Sequence, residues 1–192
     1  TQGWLYPLDE FVKDDPDFAY IPENLIEDYT YGGKLYALPN HAHYELMYVN
    51  LDLLDELNLD MPELDWTIDD FTDYLKAATT AKTSGIEMLF QIPDLLVSAF
   101  DPNTSKYGYN FTTHQLEIEG YTKAVQYMVG LRQIPGLEAW SLKSNVSGDT
   151  TDYFKKFGTN AWTGAFDKGL TLFHGVGTWE LASAMKRWEG RN

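Results

Sequence analysis

The chain has no cysteine. That excludes disulfides, thiolate metal sites and cysteine nucleophiles, and it leaves the redox compartment open. Positive charge is also scarce: 14 Lys and Arg stand against 29 Asp and Glu, for a net charge of −15. Nucleic acid and anionic membrane surfaces both require clustered Lys and Arg, so neither is expected as a partner. No apolar run approaches the roughly 18 residues of a membrane span. No signal-peptide pattern opens the chain, and no internal repeat or low-complexity segment interrupts it.

What remains is a chain of 192 residues, 44% of them hydrophobic. That suffices for one sizeable domain, or for one lobe plus part of another. Aromatic residues make up 15%, including 6 Trp and 13 Tyr. Such rings fill cores, and they also line clefts, where flat amphipathic surfaces give contact area at little entropy cost. Trp4, Leu5, Tyr6 and Leu8 read as the continuation of something already folded, so the chain is expected to be part of a longer one.

The organising stretch runs from Gly33 to Asn50. Glu45 to Val49 is rich in β-branched and aromatic residues, which predicts a strand buried on both faces. Pro39 and Asn40 place a loop before it. Leu51, Leu54 and Leu57 then recur at helical spacing. A loop therefore feeds a buried strand, and the strand feeds a helix. If the strand reaches back far enough, His41 and His43 share one of its faces.

Before this stretch, Leu8 to Val12 reads as a short helix, and Gly32-Gly33 as a turn. After it, nine acidic and no basic residues lie between Leu51 and Leu75, a solvated face. Thr67 and Asp70 have the spacing of a capping box, so a helix is expected over 68–81. Gly85 should end the connection, with a strand at Glu87 to Ile92. Because ligands in open α/β sheets bind outside the carboxyl ends of strands, Gln91 and Asp94 become site candidates. A short apolar helix is expected over 94–100. The loop from Asp101 to Gly108 has Lys106 where a calcium loop needs Gly, and is rejected as one. Three Asn-x-Ser/Thr triplets, at Asn103, Asn110 and Asn145, are short enough to arise by chance.

Glu119 to Arg132 carries the best amphipathic pattern of the chain. A short helix is expected near 151–157, a strand from Leu170 to His174, and a turn flanked by Gly175 and Gly177. Thr178 should cap a last helix with Leu181, Met185 and Trp188 facing inward. On that wheel Trp179 lies ~200° from Leu181 and ~180° from Trp188. A large indole pointing away from the core is unfavourable surface unless it meets something.

Gly33-Lys-Leu-Tyr-Ala-Leu-Pro39, Tyr48-Val-Asn50 with Leu53 and Leu54, and Trp66-Thr-Ile-Asp-Asp-Phe71 stand in order. Phe166-Asp-Lys-Gly169 and Gly177-Thr-Trp179 follow. Together they resemble the bacterial extracellular solute-binding proteins of the sugar-binding type, the receptors of ABC importers, similar to the maltose-binding class. Val49 replaces a commoner Tyr, Leu64-Asp-Trp-Thr67 reverses a Thr-Trp order, and Leu172-Phe173 stands where Ala-Met is usual. These departures leave subfamily and substrate open.

The resemblance implies an α/β fold: most of the C-lobe of a periplasmic-binding-protein-like molecule, with part of the N-lobe and the hinge crossover. Residues 1–45 would be the end of the N-lobe and the first crossover, and 46–192 the bulk of the C-lobe. It implies no cofactor, no metal and no catalytic residue. Its partners would be a carbohydrate ligand and a membrane permease, the protein itself acting as a monomer outside the cytoplasm, in the periplasm or on a lipid anchor.

By the same resemblance, His43 falls at the cleft floor, Asp94 near a sugar-contacting carboxylate, and Trp179 on a sugar-stacking aromatic. Tyr44 and Gln91 complete the ligand-binding candidates. Each has a plainer alternative: packing for Trp179, turn stabilisation for His43. His41 and His43 lack a third group to make a metal site. Asp101, Trp162 and His174 read as structural. Two rival functions remain open. One is a glycoside hydrolase, which needs two facing carboxylates. The other is a receptor of the same fold for a peptide, polyamine or metal.

Overall fold

The computed structural model describes residues 3–89, 92–102, 108–110, 113–143, 151–161 and 164–190. The side chains of Pro93, Asp94 and Tyr109 are outside that description. Contacts divide the chain into two units, Thr1–His43 and Tyr44–Asn192.

The first unit carries two short helices, α1 (Asp9–Val12) and α2 (Glu23–Glu27), and a hairpin of β1 (Thr30–Tyr31) and β2 (Lys34–Leu35). Gly32 and Gly33 turn the hairpin at φ +58° and +73°. Two consecutive positive φ values favour residues without Cβ, and they give the twist that tight hairpins prefer. Leu8 N–H donates to Leu35 O at 2.7 Å, tying α1 to the hairpin.

The second unit begins with β3 (Glu45–Val49) and α3 (Leu51–Leu57), the strand and helix expected from the residue pattern. Asn50 joins them. Its Oδ1 accepts from Leu53 N–H at 3.1 Å, which satisfies a donor left open at the helix start. Asn58 closes α3 in the left-handed region at φ +55°. The strand is only half-buried, not sealed on both faces: Leu46 is exposed. It also starts at Glu45, so His41 and His43 are not part of it.

Helix α4 (Ile68–Ala77) opens on the capping box, with Asp70 N–H donating to Thr67 Oγ1 and Thr67 N–H to Asp70 Oδ2. Next come β4 (Ser84–Ile86), α5 (Pro93–Phe100), the paired β5 (Tyr109–Asn110) and β6 (Gln115–Leu116), and α6 (Glu119–Arg132). Strand β4 lies earlier than the expected Glu87 to Ile92, and Gly85 sits inside it. The reason is tertiary. The backbone of Leu75 in α4 presses against Gly85, where a Cβ would lie 2.7 Å from Leu75 Cα. Glycine here marks a close helix approach and not a chain break. Asn110 is buried, its side chain bonded to Glu117 and Thr113, so it is no glycan acceptor. Asn103 and Asn145 lie outside the described residues.

The chain closes with α7 (Asp152–Phe157), α8 (Gly164–Asp167), β7 (Thr171–Gly177) and α9 (Leu181–Arg187). Strand β7 is central: the sheet order is β3-β7-β4, antiparallel on one side and parallel on the other. All seven of its residues are buried. It runs through Gly175 and Gly177, which do not flank a turn. On one face, Phe173 meets Trp66, Phe71 and Tyr74 at 5.6, 5.5 and 6.3 Å between ring centres. Leu53, Leu75, Ile86, Leu96, Met128 and Leu131 are among the buried residues that join that core.

Helix α9 also departs from expectation. Leu181 and Met185 are exposed, and Ala184 is the residue that packs inward. Thr178 does not cap it. Its Oγ1 accepts from Tyr44 N–H at 3.1 Å and its N–H donates to Tyr44 O at 2.9 Å, which ties the residue before β3 to the residue after β7.

Phe173→Ala removes the ring on which three others converge. It should lower stability by about 3–5 kcal/mol, read as a shift of the urea unfolding midpoint at unchanged slope.

Candidate functional site

Parallel strands define a direction, and β4 and β7 end at the same edge of the sheet. The chain leaving β7 makes a tight turn, Thr178–Glu180, which lifts Trp179 to 59% exposure. The antiparallel β3 begins at that edge, so Tyr44, 71% exposed, lies there too, bonded through its backbone to Thr178. Helix α5 starts seven residues after the end of β4, with Asp94 as its second residue. The structure therefore brings Trp179 and Tyr44 to the carboxyl-end edge where open α/β sheets bind ligands. Gln91 lies outside the described residues, as does Trp162. His43 closes the other unit. It is exposed, its ring 4.7 Å from that of His41. Among the described residues no three His, Asp or Glu side chains gather as a metal site.

A pocket of about 310 Å³ opens between β3 and the starts of α4 and α5, lined by Glu45, Met47, Trp66, Ile68, Phe71 and Leu95. Glu45 pairs with Gly177, and directly opposed residues face the same side of a sheet. The indole of Trp179 folds back over the Cα of Gly177 on that side. A second pocket, of about 300 Å³, is lined by Tyr48, Asn50, Phe166, Gly169 and Trp188. Leu181 also lines it, and it lies on the Tyr48 face of the sheet, opposite the face that the Trp179 indole covers.

The turn bearing Trp179 is held from behind. Glu180 accepts a short bond from Arg187, and Arg187 in turn reaches Asp167 at 3.4 Å. Trp188 Nε1–H donates to Asp167 Oδ1 at 2.7 Å. His174 is fully buried beside the rings of Phe166 and Tyr48, at 5.3 and 6.4 Å. Its Nε2 is 3.8 Å from Glu180 Oε2. Burial pushes the His174 imidazole below its usual range, and Glu180 only partly opposes that. His174 is thus sealed inside the fold.

One buried acid carries no obvious mark in the sequence. Glu87 follows β4 and is fully buried. Tyr153 Oη–H donates to its Oε1 at 2.5 Å and Phe166 N–H to its Oε2 at 2.9 Å. Ala165 N–H donates to the Tyr153 oxygen at 3.0 Å. The carboxyl therefore stitches α7 and α8 to the central sheet. Burial lifts it from 4.5 to about 7, against the pull of its hydrogen bonds and of Lys143. The burial of Tyr153 and the neighbouring Glu87 likewise raise the phenol. The available signal was a lone acid between Ile86 and the apolar pair Met88-Leu89.

Glu87 yields a pH dependence with a definite sign. The folded state holds its proton more tightly than the unfolded chain, so this group's contribution is fully present below pH 4.5 and is lost as pH rises toward about 7. The melting temperature should fall across that interval by more in the native protein than in Glu87→Gln. Scanning calorimetry at stepped pH checks it, and parallel curves would refute it.

Over residues 1–190 the chain matches the model of the bacterial extracellular solute-binding protein family. It belongs to that family. Among solved structures it is similar to an ABC substrate-binding protein from Listeria monocytogenes in complex with cycloalternan, at 19% identity and a TM-score of 0.66. That match covers 95% of this chain and 45% of the other. The sugar-binding protein MalE from Xanthomonas citri matches at 18% identity and 0.63, covering 97% and 45%. The Thermus thermophilus maltotriose binding protein matches at 21% and 0.57, covering 95% and 44%. The fold is thus the α/β fold of these binding proteins, and the chain spans under half of their length.

Proposed function

We propose that this member of the extracellular solute-binding proteins is the carbohydrate-binding component of an ABC importer. The observation that carries the reading is an exposed indole, Trp179, set beside exposed Tyr44 at the carboxyl-end edge of the parallel strands. A pyranose offers an apolar face to an indole and a rim of hydroxyls to carboxylates, amides and imidazoles. Trp179 stacks on the sugar. Tyr44, His43, Asp94 and Gln91 hold its hydroxyls. Residues 1–45 serve as the end of the N-lobe and the first crossover, 46–192 as the bulk of the C-lobe, and closure of the lobes completes the site. The protein acts outside the cytoplasm as a monomer, in the periplasm or on a lipid anchor, and delivers its ligand to a membrane permease. Membership of the family and relatives solved with cycloalternan and with maltotriose support that choice of ligand class.

The strongest acid candidate speaks against a hydrolase. Glu87 has the raised carboxyl a general acid needs, but it is fully buried with both oxygens occupied. It serves packing.

Titration calorimetry with a panel including maltotriose and mannobiose, run beside a reducing-sugar release assay, tests the proposal. Binding without turnover is expected; turnover would overturn it. Trp179→Ala should abolish binding while moving stability by about 0.5 kcal/mol or less, the usual range for a surface substitution. A large drop in melting temperature would make the indole a packing residue instead.

A further inference from the structure

Gly177 ends β7 two residues before the exposed indole. Its backbone sits at φ −101° and ψ 165°, ordinary extended geometry that every residue type adopts. Glycine is therefore not required here by the backbone. What requires it is the ring. A Cβ built on Gly177 would fall inside the benzo edge of Trp179, on Cζ3, Cε3 and Cη2. The indole folds back and lies against a bare Cα.

The contact joins paired backbone to the tip of a side chain. The backbone beneath is fixed: Glu45 pairs with Gly177, Tyr44 with Thr178, and Glu180 is held by Arg187. What a Cβ at 177 would meet first is the far end of the Trp179 side chain, a residue 59% exposed. A methyl group at 177 and the ring in its present place therefore exclude one another, and the clash is with a side chain and not with backbone.

We infer that Gly177 is a positioning residue for ligand binding: its missing side chain is the seat that sets the plane of the Trp179 indole at the sheet edge. The inference rests on the reading of Trp179 as a stacking group. Stacking depends on the angle and height of the ring, so an indole without its seat presents the same area with less pre-organisation.

A double-mutant cycle in the full chain tests this, using Gly177→Ala, Trp179→Ala and both together. Three readouts are taken: melting temperature, the near-ultraviolet circular dichroism difference attributable to Trp179, and calorimetric affinity for maltotriose and mannobiose. In the native background, removing Trp179 should subtract a structured indole signal. In the Gly177→Ala background, the same removal should subtract a weak, unstructured one. Gly177→Ala should weaken sugar binding roughly tenfold with a small change in melting temperature, and should change nothing further once Trp179 is gone. An unchanged Trp179 difference signal in the Gly177→Ala background would overturn the seat. So would a loss of melting temperature from Gly177→Ala that persists without Trp179, because the glycine would then serve strand packing. If the dichroism cycle holds but Trp179→Ala leaves affinity intact, the seat stands and the stacking role, with the binding function of Gly177, falls.

Discussion

The structure depends on β7. A strand with every residue buried must satisfy its backbone on both edges and its side chains on both faces. β3 pairs antiparallel with Phe173–Gly177 on one edge, and β4 pairs parallel with Thr171–Phe173 on the other. On one face Phe173 draws Trp66, Phe71 and Tyr74 into a ring cluster continuous with α4, α5 and α6. On the other, His174 packs with Tyr48 and Phe166. The exposed indole follows from this arrangement. A strand held so firmly ends abruptly, and the turn after it projects from a rigid base. Side chains carried on short turns from rigid strands keep their geometry at little entropic cost.

The chain's acidity makes its interior informative. At −15 it carries far more carboxylates than cations. Those on α3 and α4 are left largely to solvent, while the few turned inward each hold a specific place. Glu87 binds Tyr153 and the Phe166 amide. Glu138, buried beside β4, accepts from Leu89 N–H at 2.8 Å and meets Arg132 at the same distance. Glu180 takes Arg187. Glu87 and Glu138 link segments distant in sequence, which apolar contacts alone would align less uniquely. Glu87 differs from the other two in having neutral donors, and not a cation, in direct contact. Those donors offset the burial cost only in part, so its carboxyl retains a proton into the neutral range.

Much of this was legible from residue order. The Glu45–Val49 strand, the Leu51–Leu57 helix, the Thr67 cap and the Glu119–Arg132 helix all stand where spacing and capping chemistry put them. These are local signals, and the tertiary structure agrees with them. The departures cluster at glycines. Gly85, Gly175 and Gly177 read as breaks because glycine so often makes turns. Here one admits the backbone of α4 and another admits an indole, neither of which is visible in a linear string. The last helix departs for a related reason: Ala184 packs closely, which leaves Leu181 and Met185 outside.

The residues by themselves determined the α/β pattern, the starts of α3, α4 and α6, and the exclusion of thiol chemistry. Those follow from periodicity, side-chain hydrogen bonding and composition, which act within a few positions of the chain. Only the tertiary structure decided that Tyr44 and Trp179, far apart along the chain, share one edge of a sheet. It also decided that Glu87 is sealed inside and that Gly177 lies under a ring. Strand order and burial are settled by which surfaces meet in three dimensions, and no local spacing carries that information.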